Sequence, residues 1–470
     1  MNRSVPLILA VALFMEQMDS TVIATALPAI AADIGSSPVT LKLALTSYLV
    51  SLAIFIPVSS WMADRFGAKR VFTVAIAVFV VGSVCCALAG SLIAFVGARF
   101  LEGMGGAMMT PVARLVLVRA TPKSELVSAM AWLTIPALMG PLVGPPVGGF
   151  ITTFVSWHWI FLINVPIGLA GIWVASRVLP EIEPAELPPL DLRGFALAAV
   201  TAAGIVFGLS VVSLPALPSA VGAATLALGA LGGIAYLLHA RRTPQPLLDP
   251  KLFANPTFRA AVIGGMIFRI GNGAVPFLLP LMLQVGFGLT PFASGMLTFV
   301  AAFGALAMKF FAPFTLRTGG FRRVLVLASL LGASLIALNA TFTEATPAGL
   351  IVAILIMAGF VRSLFFTSVN ALVFADIEPA EMGQATAIAA VSQQISIALG
   401  VAIAGGVLEG ATLFGHAATS PAAFSAAFLS IAAICALAAL PFLSLSGDAG
   451  SSVSGHIPAR GADGDPTQPL

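Results

Sequence analysis

Ala63-Asp64-Arg65-Phe66-Gly67-Ala68-Lys69-Arg70 is the stretch that decides the fold, since it gathers an acid, three bases and a glycine in a chain that is only 9% charged. Apolar segments of hydrocarbon length flank it, at residues 40–62 and 71–92. A helix that spans a bilayer needs about 20 mostly apolar residues, and short cytoplasmic loops between such helices are enriched in Lys and Arg. The pattern therefore predicts a cytoplasmic hairpin in a protein that crosses the membrane several times.

The composition excludes a soluble globular protein. The chain has 470 residues, of which 59% are hydrophobic, and its mean hydropathy is +1.05. Soluble domains carry about 25% charged residues. The net charge of +3 is explained by bases in membrane-flanking loops, so we expect the lipid bilayer and no nucleic acid as a partner. The three cysteines, Cys85, Cys86 and Cys435, lie in apolar runs and are interpreted as packing residues.

The chain contains fourteen segments with the length and apolar character of membrane spans. The seventh and eighth are joined by a very short turn, and twelve spans would remain if that pair were re-entrant or peripheral. The predicted segments are residues 5–30, 40–62, 71–92, 94–118, 127–153, 157–178, 193–214, 217–238, 257–284, 292–316, 321–342, 348–374, 384–412 and 423–445.

The distribution of basic residues predicts the topology. If the N-terminus is cytoplasmic, most of the 22 Lys and Arg residues fall in cytoplasmic segments, and Lys42 alone falls in an outer loop. Both termini are therefore expected in the cytoplasm. The predicted organisation is an N-terminal six-helix bundle, a linker, two additional helices with a loop, a C-terminal six-helix bundle and a disordered tail, at residues 1–178, 179–192, 193–256, 257–446 and 447–470.

A weak internal repeat supports two equivalent halves. The loop before the third span contains Gly67 and ends in Lys69 and Arg70, and the loop before the eleventh span runs from Gly319 to Arg323. Once spans 7 and 8 are set aside, these loops occupy equivalent places in two six-helix halves. The second loop lacks the acid.

Ionisable residues within spans are the sharpest functional signal, because each costs roughly 2.5–3.5 kcal/mol at the bilayer centre. Glu16 and Asp19 lie three residues apart on the first span and share a helix face, and Glu102 lies on the fourth span. Neighbouring carboxyl groups split their proton affinities, as a proton carrier requires. We predict that these three acids couple transport to protons. The alternative is that Asp19 is a structural ion-pair partner of Arg99.

Polar and basic residues of several spans predict a substrate cavity. Arg269 and Arg362 lie near the middle of spans 9 and 12, the second-half counterparts of spans 1 and 4. A basic lining suits an organic anion or a metal–anion chelate, unless each arginine pairs with an acid of the other half. Arg114 and Lys309 lie towards span ends and are expected to extend to the membrane surface. The predicted cavity residues are Arg99, Arg269, Asn272, Arg362, Asn370 and Gln394.

Several motifs, in the right order, resemble the major facilitator superfamily. Its fourteen-span drug:proton antiporters of the EmrB/QacA type are the most similar group, and in particular the MdtD-like branch of multidrug exporters. Two positions depart from the family pattern, Ser60 where a glycine is usual and Glu102 where a glutamine is usual. The motifs are the Asp64 loop, Met18–Val22 with Ala26-Leu27-Pro28, Arg99–Gly103, Gly144–Gly149, Trp157–Pro166 and Phe268–Gly271.

The resemblance implies an all-α polytopic membrane protein of the major facilitator fold, with two six-helix bundles plus two extra transmembrane helices. It implies a monomeric, proton-coupled antiporter that exports small organic molecules by alternating access. No motif points to an ATPase, a cofactor or a metal, and a membrane-embedded enzyme or a scaffold is the less favoured class. The implied conformational latch comprises Asp64, Arg65, Gly67, Lys69 and Arg70, and the implied antiporter-motif helix contains Gly140, Gly144, Pro145, Gly148 and Gly149.

Overall fold

The computed structural model describes residues 4–121, 126–181, 189–212, 218–378, 381–447 and 449–451. Within those ranges the regular structure is helical. Half of the predicted linker, residues 182–188, and most of the predicted tail, including residues 452–470, lie outside the described residues. The helices are α1 Ser4–Asp33, α2 Lys42–Phe66, α3 Ala68–Ala87, α4 Leu92–Ala120, α5 Leu126–Phe154, α6 Trp159–Leu162, α7 Asn164–Val178, α8 Leu192–Val212, α9 Ser219–Arg242, α10 Pro256–Leu281, α11 Pro291–Phe299, α12 Ala301–Leu338, α13 Ala348–Val373, α14 Met382–Gly410, α15 Pro421–Ala436 and α16 Ala439–Leu443.

Each predicted span corresponds to a described helix, to two consecutive helices or to a part of α12. Among the described residues, 13 helical stretches are long and apolar enough to cross a membrane. The remaining predicted segment is α5, a 29-residue helix with four interior prolines, some of whose side chains lie outside the description. The helices α8 and α9, with 21 and 24 residues, are each long enough to span. The all-α polytopic fold class is confirmed.

The helices pack as two bundles. In the first half α1 packs on α5, and α4 packs on α2 and α3. In the second half α10 packs on α14 and α15, and α12 packs on α13. The main contacts between the halves are α2 with α14 and α5 with α11. The helix α8 packs on α9 and also touches α2 and α14, so the additional pair lies beside the junction of the halves.

The two faces of the molecule are packed differently. We call the face that carries the start of α1 and the Asp64 loop the terminal face, and the opposite face the far face. One buried apolar cluster in the far part of the protein contains residues of both halves, such as Ile30 and Leu278. Nearer the terminal face each half has its own cluster, around Phe72 in the first and Phe321 in the second. The halves are therefore packed together at the far face.

The sequence repeat has a structural counterpart in two glycine turns. Gly67 separates α2 from α3 with φ of 90°, and Gly320 turns the chain inside α12 with φ of 66°. Both conformations are left-handed and favour glycine because other residues place Cβ against the backbone there. The second span of α12 therefore begins after Gly320, where the equivalent loop of the first half has Gly67.

The structure corrects the predicted placement of Lys42. This residue is not in an outer loop but is the first residue of α2, where its side chain is fully buried. Its Nζ lies 2.5 Å from Oε2 of Glu409, near the end of α14. The sequence interpretation did not single out Glu409, although it lies within a predicted span. The partners are 367 residues apart, so their contact depends on the packing of α2 on α14.

Candidate functional site

A buried cluster of charges forms the centre of the first half. Asp19 on α1 and Arg99 and Glu102 on α4 are at most 1% exposed. The Arg99 Nη1 group donates to Oδ2 of Asp19 at 2.7 Å and to Oε2 of Glu102 at 2.5 Å. On another face, α4 packs closely on α2, since a Cβ on Gly103 would lie 2.7 Å from the Tyr48 carbonyl oxygen. One guanidinium thus serves two carboxyl groups, and the predicted contact between Asp19 and Arg99 is present.

Neutral side chains complete this cluster, and the sequence interpretation missed them. The Asn164 amide donates to Oδ1 of Asp19 at 3.0 Å and to the Ser83 hydroxyl at 3.1 Å. Ser83 in turn donates to Oε1 of Glu102 at 2.5 Å, and the Cys86 thiol donates to Oε2 at 3.4 Å. Asn164 lies in the Trp157–Pro166 motif, which the sequence interpretation recognised without assigning a function to this residue. Cys86 is buried as expected but also contacts an acid.

Glu16 is the one acid of the three that has no ion pair with Arg99 in the described structure. It is 6% exposed, and its Oε1 accepts a bond from the Tyr48 hydroxyl at 3.3 Å. The Arg99 guanidinium also lies over the ring of Tyr48, with its carbon 4.2 Å from the ring centroid. The interior of the first half therefore holds three carboxyl groups around one arginine, joined through Tyr48.

A cavity of about 550 Å³ lies between the two halves. It is lined by residues of α1, α5, α10, α11, α12 and α13. Three of the predicted cavity residues, Asn272, Arg362 and Asn370, contribute to the lining, and Lys309 lines it as well. None of the described lining residues is an acid. The cavity is therefore apolar with a basic side contributed by the second half.

Arg269 does not line the cavity itself, but it donates a hydrogen bond to a residue that does. Its Nη2 donates to Oδ1 of the lining residue Asn370 at 2.9 Å, and its guanidinium lies 5.3 Å from the centre of the Phe366 ring. Neither Arg269 nor Arg362 has an ion pair with an acid in the described part of the chain. The alternative in which they pair with Asp19 or Glu102 is not realised, because Arg99 occupies both acids.

Besides Arg269, two predicted cavity residues, Arg99 and Gln394, do not line the cavity, whereas Lys309 does. Arg99 is enclosed in the charge cluster and does not line this cavity, because two acids on its own side of the molecule hold it. Gln394 lies half-buried on α14, which contributes no lining residue to the cavity. Lys309, which was expected to extend to the membrane surface, is exposed and also contributes to the cavity lining. Helix rotation is not fixed by hydropathy alone.

The glycines of the antiporter-motif helix fit α5 closely onto α1. A Cβ on Gly140 would come within 2.9 Å of Gln17 and Met18, and one on Gly144 or Gly148 would collide with the next turns of α1. Small residues at four-residue spacing permit this approach. Gly149 instead meets the Pro291 carbonyl oxygen of α11 in the second half, and Pro145 lines the cavity. The motif thus binds α5 to its own half and also contacts the other.

The acid of the charged loop pairs with a base of its own half. Asp64 forms an ion pair with Arg119 near the end of α4, with 2.6 Å between Oδ1 and Nη2. The predicted fourth span ended at residue 118, so the sequence did not point to Arg119 as the partner of Asp64. Arg65 and Arg70 are exposed, and Lys69 is half-exposed. In this conformation the Asp64 carboxylate therefore contacts its own half.

Comparison with known proteins agrees with this architecture. The family model of the Major Facilitator Superfamily matches residues 9–401 and 261–461. The chain is 35% identical over 450 residues, 94% of each chain, to the "Putative multidrug resistance protein MdtD" of Salmonella paratyphi B. It is 36% identical over 456 residues, 95% of each chain, to the protein of that name in Escherichia coli O9:H4.

Solved structures share the fold at low sequence identity. The D-xylose–proton symporter superposes with a TM-score of 0.69 at 16% identity, covering 95% of this chain and 98% of the symporter. A peptide transporter, POT, in complex with sulfate gives a TM-score of 0.69 at 15% identity and covers 94% of each chain. At this identity the likeness establishes the fold and not the substrate.

A multi-pass helical protein with two bundles, a cavity between them and charges buried beside it is a membrane transporter and not an enzyme. The chain belongs to the major facilitator superfamily, and its relatives in the MdtD-like branch match it over almost their whole length.

Proposed function

We propose that the protein is a proton-coupled antiporter that exports small organic molecules or drugs by alternating access. It would act as a monomer in a bacterial inner membrane, with both termini in the cytoplasm. The observation that carries the proposal is the cluster of Glu16, Asp19 and Glu102 around the single base Arg99. The multidrug resistance in the names of its relatives supports export as the direction.

The charge balance of this cluster favours a role in proton transfer. Three ionised carboxyl groups around one guanidinium would leave two uncompensated negative charges in the membrane interior, which is strongly unfavourable. Holding protons removes that penalty. Glu16, which has no ion pair with Arg99 in the described structure and accepts a long hydrogen bond from Tyr48, is the best placed of the three acids to hold one. Asp19 and Glu102 accept several shorter bonds and are better suited to the ionised form.

The helix α1 connects the acids to the cavity wall. Glu16 and Asp19 lie on α1, and Thr21 and Thr25 of the same helix line the cavity little more than one turn later. The glycine contacts of α5 on α1 make the two helices move as one body. A change in the bonds of Asp19 would therefore shift the cavity wall that α1 and α5 form.

A second candidate is the export of an organic anion or a metal–anion chelate. Lys309 and Arg362 line the cavity, Arg269 stands behind Asn370, and no acid lies among the described lining residues. A cavity of that charge attracts anions and disfavours lipophilic cations. Both candidates use the same proton cluster, so they differ in substrate and not in energy source.

Transport into inverted membrane vesicles tests the proposal. Cationic, neutral and anionic compounds would be offered with and without a pH gradient, alongside vesicles that contain Asp19→Asn. We expect accumulation of at least one class that depends on the gradient and is lost in the variant. Gradient-independent uptake, or equal uptake by the variant, would contradict proton-coupled antiport.

A further inference from the structure

A buried ion pair joins the two halves at the far face. Lys42 is the first residue of α2 and is fully buried, and Glu409 is the penultimate residue of α14 and is 6% exposed. Their charged atoms are 2.5 Å apart. The other ion pairs of the described residues lie within one half, within the additional helix pair, or at the surface. The far face is therefore closed by a contact between opposite charges.

The surroundings of this pair are built to enclose it. A Cβ on Gly405 would collide with the Lys42 side chain, so a glycine one turn before Glu409 makes room for the lysine. Leu41 and Leu408, the chain neighbours of the two charges, belong to the apolar cluster that both halves share. The neighbouring contacts between the halves are neutral, such as the Gln284 amide that donates to the Thr25 carbonyl oxygen at 3.0 Å.

A pair of this kind is suited to a two-state contact. Two opposite charges in a dry environment stabilise each other, but either one alone is strongly destabilising there. In water both charges are well solvated and the attraction between them is weak. An intermediate in which the halves have parted but water has not entered is therefore disfavoured. The pair favours a fully closed or a fully open far face.

We propose that Lys42 and Glu409 are positioning residues that hold the far face closed while the cavity is loaded from the terminal face. This inference rests on the proposed function, because only an alternating-access transporter must open and close that face. To open it, α2 would move away from α14 and expose both charges to water. Neither residue touches the cavity, so the pair would set the conformational balance and not the affinity for substrate.

Labelling of a cavity cysteine measures that balance directly. Ala358 lines the cavity, and Ala358→Cys would react with a membrane-impermeant maleimide that is offered at one face of a vesicle at a time. The natural cysteines supply the background in the parent chain. Glu344→Gln is the matched control, since it removes an exposed acid from a loop at the far face.

The variants have different expected signs. Lys42→Met and Glu409→Gln each leave one charge buried in the closed state, so labelling from the far face should rise at least tenfold. The double replacement K42M/E409M leaves no lone charge and exposes apolar groups on opening, so labelling from that face should fall below the parent rate. The swap K42E/E409K should return it close to the parent. Transport should slow in the single and double variants.

Two outcomes would overturn the proposal. One is far-face labelling that stays at the Glu344→Gln rate in all four variants. The other is a double variant that labels as fast as the single variants, because the pair would then be a general packing element. Since the double variant contains no unpaired buried charge, it provides a folded protein if a single variant misfolds. Labelling is measured without a proton gradient, so the proposal can stand or fail independently of proton-coupled antiport.

Discussion

Corresponding helices of the two halves carry opposite charge arrangements. In the first half α1 and α4 bring Asp19 and Glu102 to Arg99, and the three side chains satisfy one another away from the cavity lining. In the second half α10 and α13 carry Arg269 and Arg362, which lack an acid in the described structure and lie at or behind the cavity wall. Under the proposed function, the first half would handle protons and the second half would bind the substrate.

The largest expected effect concerns the acid of the first half. Asp19→Asn should reduce gradient-driven transport at least 100-fold. An amide is always neutral, so it cannot alternate between an ionised form that pairs with Arg99 and a protonated form. Folding should be retained, since Glu102 still pairs with Arg99. The measurement is transport against a gradient, with binding of the same substrate as the control. Transport by the variant at the parent rate would show that Asp19 is not part of the coupling site.

Replacing an arginine by methionine should have different consequences for stability in the two halves. Arg99→Met leaves Asp19 and Glu102 buried without a base, and breaking such a cluster costs about 3–5 kcal/mol. Arg362→Met strands no acid in the described structure, so its melting temperature in detergent should stay near that of the parent or rise. The triple variant D19N/R99M/E102Q should recover most of the lost stability but not transport. Equal destabilisation by both single variants would remove the distinction between the halves.

Substrate charge tests the second half alone. If Arg269 and Arg362 bind a carboxylate, Arg269→Ala should lower transport of anions at least tenfold and spare lipophilic cations. Arg269→Lys should restore only part of it, because an ammonium cannot make the planar two-pronged contact. The measurement is uptake of matched anionic and cationic compounds, with thermal stability recorded in parallel. Uniform loss with a matching fall in melting temperature would instead indicate a structural arginine.

The sequence was sufficient for the fold and for the acids of the site. Fourteen segments were recognisable because each must supply an apolar helix of bilayer length. Asp19, Arg99 and Glu102 were recognisable because charges inside a membrane are costly and need partners. The contact between Asp19 and Arg99 was one of the alternatives that the sequence left open, and the packing of α1 on α4 brings it about. Hydropathy and the cost of charge therefore specified most of the architecture.

The contacts that the sequence could not supply depend on helix ends and helix rotation. Arg119 reaches Asp64 because α4 continues to Ala120, beyond the predicted span. Lys309 contributes to the cavity lining through an orientation of its helix that no periodic pattern in α12 specifies. Glu409 went unnoticed because its significance comes from a lysine 367 residues away. Each contact requires the packed bundle and cannot be inferred from one segment.

The charged loops extend the comparison between the halves, because only the first contains an acid. Asp64→Asn should slow turnover about 3–10-fold, since an ion pair with Arg119 worth roughly 1 kcal/mol would be lost. Substrate affinity should stay unchanged, because Asp64 lies outside the cavity. Turnover and equilibrium binding would be measured on the same preparation, with Glu381→Gln as a control at another loop. A large loss of affinity at unchanged turnover would contradict the latch.

The smallest expected effect concerns the helix pair beside the junction of the halves. Burial opposes ionisation of Asp191, but hydrogen bonds from the Gly194 amide and from His239, together with the charge of His239, outweigh it and hold the pKa of that carboxyl below its usual range. A lowered pKa means that the ionised acid stabilises the folded state above the unfolded pKa of about 3.9. That contribution is lost as the pH falls through the folded value.

Asp191→Asn should therefore lower stability at pH 7 by about 1 kcal/mol, as expected for a single charge-assisted hydrogen bond that is weakened. The difference from the parent should persist down to about pH 4 and shrink below it, because the parent then also carries a neutral side chain. Thermal unfolding in detergent across this pH range measures it, with the exposed Asp376→Asn as the control. A deficit that grows as the pH falls would mean that Asp191 is not held in its ionised form. Transport that changes by more than the stability does would show that the additional pair influences how the two halves move.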